Sequence, residues 1–126
     1  MIAVGVGARS GTGPHELSAA VRSVLDAAGI PGERVAVLAT VHRRDDVVRI
    51  VASSHGWRFV AFTVPELAEV PVPTPSVAVA AAIGTPGVAE AAALLAAGPS
   101  SVLLVPKRIV GTATVAIARS SCEPDA

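Results

Sequence analysis

The chain begins with the stretch MIAVGVGARSGTGPHEL, residues 1–17, and this stretch decides the fold. Residues 2–8 form an apolar run without alternation, which is typical of a strand covered on both faces of a sheet. A glycine-rich turn containing Arg9 follows, and a helical pattern begins at Pro14, a residue favoured in a first helical turn. Such a strand–turn–helix unit brings backbone N–H groups and one positive charge to a single point, which suits an anionic group on a ligand.

Length and composition limit the class of protein. The 126 residues predict one domain, and a hydrophobic content of 52% excludes disorder for most of the chain. Ten acidic and ten basic residues give no net charge, so the basic excess of a nucleic-acid-binding protein is absent. Cys122 is the only cysteine, and no metal-ligand cluster is spelled out. We therefore expect no nucleic-acid partner, no metal and no cofactor.

One long apolar segment, residues 77–97, is the only candidate in the sequence for a membrane-spanning helix. Gly84, Pro86 and Gly87 interrupt it, so two short helices are expected rather than a span of about 20 residues. No basic region precedes the first apolar run, as a secretory signal would require. These features predict a cytoplasmic protein with no membrane partner.

Alternating elements predict the architecture. Apolar runs indicate strands, and helical spacing with capping residues indicates helices. The predicted strands cover residues 2–8, 34–39, 58–63, 101–105 and 113–118. The predicted helices cover residues 14–28, 46–55, 77–83 and 86–97. This order predicts a three-layer α/β/α domain with a mostly parallel five-stranded sheet. The connection at residues 106–112 is too short for a crossover helix, so the last two strands should pair antiparallel. The domain is expected to cover residues 1–119, and residues 120–126 to form a frayed tail.

The second helix has an expected inner face. Val47, Ile50 and Val51 recur at helical spacing and are predicted to point into the core. Asp45 or Asp46 is placed to cap this helix and to favour its dipole.

The first candidate site is the turn after strand one. Its functional interpretation is that Arg9 binds a carboxylate or phosphate in a bidentate manner, beyond the carboxyl end of the strand where open α/β sheets bind ligands. The structural alternative is a glycine-rich turn that only lets the first helix pack closely. The pattern matches neither a dinucleotide-binding fingerprint nor a phosphate-binding P-loop.

Three further loops hold candidate residues. After strand two, His42 is a candidate general acid or base beside Arg43 and Arg44, or this loop is simply solvated. A turn at residues 84–87 leads into a helix with Glu90 in its first turn, and it either holds a polar ligand or caps the helix. Lys107, the only lysine, is either a charge on the rim of the sheet or an anion contact. No nucleophile motif and no metal-binding motif was found.

Five blocks carry a resemblance to a known family, and they keep their order along nearly the whole chain: GVGARSGT (5–12), VPVPTPS (70–76), GTPGVAEAAAL (84–94), LLVPK (103–107) and TVAIA (114–118). Together they resemble the family of CobE and the C-terminal domain of CbiG, from cobalamin (vitamin B12) biosynthesis. The family often has Cys at the position of Ala8 and a basic residue at Ser10. The resemblance implies a single α/β domain and a place in this pathway.

The resemblance also directs the functional hypotheses. The first is a protein that binds a corrinoid or precorrin intermediate as an accessory or carrier. The alternative is a hydrolase that opens the lactone of a cobalt-precorrin-5A-type intermediate and releases acetaldehyde, with Glu90 or His42 activating water. A third is an interaction module that docks onto another enzyme of the pathway.

The predicted binding residues for a corrinoid lie in turns at the carboxyl edge of the sheet or beside it. They are Gly7, Arg9, Gly11, Thr12, Thr40, Arg43, Arg44, Gly84, Thr85, Glu90, Lys107 and Gly111. The protein is expected to act as a monomer or a homodimer, in contact with its corrinoid and with other enzymes of the pathway.

Overall fold

A computed structural model describes residues 2–8, 11–41, 45–63, 65–66, 88–98 and 101–120. Within these ranges the chain forms five strands and three α-helices: β1 (Ile2–Ala8), α1 (Pro14–Ala28), β2 (Val35–Val41), α2 (Asp45–His55), β3 (Arg58–Phe62), α3 (Val88–Ala97), β4 (Ser101–Val110) and β5 (Ala113–Ser120). A short 3-10 helix, Gly32–Arg34, precedes β2. The predicted helix at residues 77–83 lies outside the described residues.

The sheet has the strand order β3-β2-β1-β5-β4. β1 runs parallel to β2, and β2 runs parallel to β3. β5 is antiparallel to both β1 and β4. The single α/β domain with a mixed sheet and an antiparallel C-terminal strand pair is therefore confirmed.

The sheet is covered on both faces, as the first apolar run predicted. α1 and α2 pack on one face through a cluster of large aliphatic residues that includes Leu17, Leu38 and Ile117. α3 packs on the other face through alanines, among them Ala89 and Ala93. β1 lies at the centre, and its first five residues are buried because both layers cover it.

α1 has the predicted bounds because its end signals are strong. Pro14 occupies the first turn, and Gly29 ends the helix in the left-handed region with φ 72°. Gly29 and Ile30 donate their N–H groups to Asp26 and Leu25, which satisfies carbonyls of the last turn.

β4 is longer than expected, and the prediction of a connection at residues 106–112 was wrong. The strand continues through Pro106 to Val110, and only Gly111 and Thr112 form the turn into β5. Gly111 supplies the positive φ of 63° that this turn needs. Proline is tolerated because β4 is an edge strand with an irregular ladder, where a missing N–H removes no required bond.

The predicted inner face of α2 was wrong at one position. Ile50 is 54% exposed, and Val48 is fully buried in its place, together with Val51. α2 also begins one residue earlier than expected, at Asp45, and β2 extends two residues further, to Val41. Shifts of one or two residues are usual because the ends of helices and strands fray.

No helix in the described part of the chain is long and apolar enough to cross a membrane. Across the same residues, no three side chains of His, Cys, Asp or Glu come together in a way that would hold a metal ion.

Candidate functional site

The candidate site lies at the edge where the parallel strands end. β1, β2 and β3 end at Ala8, Val41 and Phe62, and the β4–β5 turn reaches the same edge because Ala113 pairs with Ala8. We call this edge the rim. α1 and α2 start from loops that leave it, so the amino ends of these helices also face it. This is the side of an open α/β sheet at which ligands bind.

A hydrogen bond joins two loops at the rim that are 100 residues apart in the chain. The hydroxyls of Thr12 and Thr112 lie 2.7 Å apart, and Thr12 is buried. Thr112 also donates to Oε2 of Glu16 at 3.4 Å. Because a hydroxyl has one proton and a carboxylate only accepts, Thr12 is the donor to Thr112. This relay fixes the β1–α1 loop against the β4–β5 turn.

The amino end of α1 offers backbone donors beside this relay. Gly13 is the N-cap, has extended geometry and forms no side-chain capping bond. The amides of His15 and Glu16 in the first turn have no carbonyl partner within the helix, as is general for a helix start. They are therefore open to water or to an anionic group at the rim.

Glu90 lies inside the protein rather than on its surface. Its side chain is fully buried in the first turn of α3, and Oε2 accepts the backbone N–H of Lys107 at 3.0 Å. The side chain of Lys107 is half-buried, in the middle of β4. Glu90 thus connects α3 to the edge strand, an arrangement that sequence spacing did not indicate.

Thr40 is also turned inward. It is fully buried, and its hydroxyl donates to the carbonyl oxygen of Val6 at 2.8 Å. Its only proton is therefore used to join β2 to β1. In this arrangement Thr40 holds the ends of β1 and β2 together below the rim and has no proton left to donate to a ligand.

A flat row of residues crosses the sheet on the α3 side of the rim. Gly7 in β1 pairs with Thr114 in β5, and Thr114 pairs with Ile109 in β4. Gly7 has no side chain, and Ile109, at the outer edge, is 77% exposed. The row therefore has no side chain at its inner end and one exposed apolar side chain at its outer end, which suits contact with an apolar ligand.

The structure brings only part of the predicted site together. Gly7, Gly11, Thr12 and Gly111 lie at the rim. Lys107 and the buried Thr40 and Glu90 lie beneath or beside it. Five predicted binding residues and the candidate His42 lie outside the described residues; the five are Arg9, Arg43, Arg44, Gly84 and Thr85.

Sequence reasoning did not select Glu16, Thr112 or Ile109. The Thr12–Thr112 bond joins distant segments, and no periodic pattern pairs them. A weak signal for Thr112 exists, since a hydroxyl residue directly after a glycine is typical of a turn. Ile109 was predicted to lie in a connection. In a connection, hydrophobic periodicity does not indicate which side chains are buried, so the exposure of Ile109 could not be predicted.

Comparison with known proteins identifies the family. The family model described as "Cobalamin synthesis G C-terminus" matches residues 2–118. A cobalt-precorrin-5A hydrolase from Priestia megaterium is 31% identical over 120 residues, which is 94% of this chain and 32% of that protein. The chain thus spans about a third of the length of this curated relative.

Two solved structures share the fold. CobE, a protein of the cobalamin biosynthetic pathway, superposes with a TM-score of 0.85 at 27% identity, covering 94% of this chain and 92% of CobE. The cobalamin biosynthesis protein chiG of Agrobacterium tumefaciens has a TM-score of 0.74 at 30% identity, covering 96% and 99%. Family model and structures agree over nearly the whole chain, and the protein therefore belongs to the cobalamin synthesis G C-terminal family.

Proposed function

We propose that this protein binds a corrinoid intermediate of cobalamin biosynthesis at the rim and acts as an accessory or carrier. The observation that carries the proposal is the bond between Thr12 and Thr112, which unites two distant loops at the ligand-binding edge of the sheet. Family membership supports the pathway.

The rim has the chemical features that such a ligand requires. A corrinoid is a flat macrocycle with carboxylate arms around its edge. The row Gly7–Thr114–Ile109 provides a flat surface with an exposed apolar side chain. The open amides at the start of α1 and the positive charge of Lys107 suit carboxylate arms.

A paired titration tests this proposal. The protein is titrated with a cobalt corrinoid that carries free peripheral carboxylates, and separately with the same corrinoid after amidation of those groups. We expect a saturable change in the visible spectrum with the first ligand, and affinity about tenfold or more weaker with the second, because charge-assisted hydrogen bonds are lost. Absence of saturable binding by either ligand would reject the proposal.

Matched variants locate the binding surface. Ile109→Glu places a like charge beside the carboxylate arms and should weaken binding about tenfold. Ile50→Glu makes the same change at an exposed position on the outer side of α2 and should leave affinity unchanged. Equal effects of the two variants would place the ligand away from the rim.

The second candidate function is hydrolysis of the corrinoid lactone. The relative named cobalt-precorrin-5A hydrolase favours it, although this chain spans only a third of that protein. The burial of Glu90 and its bond to Lys107 favour a structural role over water activation. Acetaldehyde should therefore not appear when the protein alone is incubated with the lactone-containing intermediate. Release that Glu90→Gln or His42→Gln abolishes would support the hydrolase instead.

A further inference from the structure

The pairing of β4 with β5 shifts register twice, between Leu103 and Val105 and again between Val105 and Arg108. The second shift is a bulge, and it decides which face of the sheet the two basic residues of β4 occupy. Val105 pairs with Ile117, and Arg108 pairs with Val115. Two residues of β4, Pro106 and Lys107, therefore lie opposite the single Ala116 of β5. A bulge of this kind shifts all later residues of the strand by one position relative to their partners.

The consequence is clear when the Val105–Ile117 pair is kept and the ladder is continued from it without this bulge. Without it, Lys107 would oppose Val115, which faces α1 and α2. Arg108 would oppose Thr114, in the flat row at the rim. With the bulge, Arg108 instead lines a groove of about 410 Å³ beside Val24 and Ala28 of α1. Lys107 is left opposite Ala116, which faces α3.

Glu90 is the residue that holds this arrangement. Proline has no N–H, so Pro106 donates nothing. The N–H of Lys107 points to the carboxylate of Glu90, 3.0 Å away. A buried carboxylate that accepts a backbone N–H forms one of the stronger hydrogen bonds in proteins. Glu90 therefore fixes the bulge from the first turn of α3.

We propose that Glu90 is a positioning residue for Lys107. By accepting its N–H, the carboxylate keeps the only lysine on the α3 side of the sheet, next to the flat row, where the ammonium group contacts a carboxylate arm of the ligand. The identity of the ligand rests on the proposed corrinoid function. The contact between Glu90 and Lys107 is independent of the proposed function, and it can be tested without any ligand.

The first experiment uses the fact that the chain has one lysine. Protein labelled with 15N-lysine gives a single backbone amide signal, and this signal comes from the N–H that Glu90 accepts. We expect a downfield proton shift and slow exchange with solvent. Glu90→Gln keeps an acceptor oxygen but removes the charge, so the signal should move upfield and stay protected. Glu90→Leu has similar volume and no acceptor, so the amide should exchange much faster.

An unchanged Lys107 amide in Glu90→Gln would overturn the proposed contact. If Glu90→Leu does not fold, the shift in Glu90→Gln still decides, because glutamine fills the same space. A role confined to general stability would not move this one signal while leaving the protein folded.

The second experiment measures corrinoid affinity in the same variants. Lys107→Gln should weaken binding of the carboxylate corrinoid about tenfold, whereas Arg108→Gln, the matched control on the other face, should change it less than about twofold. Glu90→Leu should resemble Lys107→Gln, and Glu90→Gln should resemble the wild type. Equal affinities of Lys107→Gln and Arg108→Gln would overturn the role of the lysine. A wild type that binds no corrinoid, with the amide signal behaving as expected, would reject the proposed function and leave the Glu90 contact standing.

Discussion

The two faces of the sheet are built in different ways. On the side of α1 and α2, large aliphatic side chains such as Leu17 and Leu38 fill the space between the layers. On the side of α3, the layers touch through alanines and through the backbone itself, because Gly5 lies directly under α3. One face therefore depends on filled volume, and the other depends on the absence of side chains. Glu90 and Lys107, for which we propose a role in ligand binding, lie on the second face.

The largest loss of stability is expected at Gly5, where α3 leaves no room for a side chain. A Cβ at Gly5 would overlap the carbonyl oxygen of Ala89 and lie 2.6 Å from the backbone nitrogen of Ala93. Because helix backbone cannot rotate away as a side chain can, Gly5→Ala should cost more than about 3 kcal/mol of unfolding free energy, above the usual range for overpacking, or prevent folding. Urea unfolding followed by circular dichroism measures this.

Gly32→Ala is the control for this change. Its Cβ would meet the ring of Trp57 at 3.6 Å, an ordinary contact, so stability should change by less than about 1 kcal/mol. Similar losses in both variants would show that α3 can move away from β1, and the contrast between the faces would be lost.

On the face covered by α1 and α2, the destabilising change should be the removal of side-chain volume. Leu17 is fully buried on the inner side of α1, and Leu17→Ala leaves a cavity that should cost about 3 kcal/mol in the same unfolding experiment. Leu17→Met retains the volume and should cost less than about 1.5 kcal/mol. A cost below about 1 kcal/mol for Leu17→Ala would mean that this face collapses around the cavity.

A smaller effect is expected at the rim, where the two faces meet. Thr12→Val and Thr112→Val each remove one partner of the bond between the loops. A double-mutant cycle should give a coupling of about 1 kcal/mol, the usual net value of such a hydrogen bond. Additive losses in thermal or urea unfolding would show that the loops are held by other contacts.

The smallest effect is expected on the outer side of α2. Ile50 is exposed, so Ile50→Ala should change the unfolding free energy by less than about 0.5 kcal/mol. The neighbouring Val48 is fully buried, and Val48→Ala should cost about 2 kcal/mol. The reverse order would show that α2 is rotated relative to the sheet, with Ile50 in the core as its sequence pattern suggested.

The sequence was most informative where local signals are strong. Pro14 and Gly29 set both ends of α1, and the apolar run of residues 2–8 set the central strand. It was less informative for β4. Pro106 would end a strand in the interior of a sheet, but proline is accepted in an edge strand such as β4. Which strand becomes the edge depends on the order of pairing, and local sequence does not record that order.

The candidate site shows the same division. Thr12 and Gly111 were predicted because turns after strands have recognisable composition, and Gly7 because it stands just before such a turn. The structure places all three at the rim, and their contact with a ligand stays a prediction. Glu90 was also selected, but as a group that touches the ligand, whereas the structure places it inside, bonded to Lys107. Its spacing in the helix could not show this, since the partner comes from another element and through its backbone.

By itself, the sequence determined the kind of domain, the parallel and antiparallel parts of its sheet, the family, and the loops that reach the carboxyl edge, because apolar periodicity, capping residues and ordered motifs are local. Only the tertiary structure decided that Thr12 meets Thr112, that Gly5 receives the backbone of α3, and that a bulge in β4 separates Lys107 from Arg108. Each of these depends on packing and register between segments far apart in the chain, and such contacts leave no periodic trace in either segment.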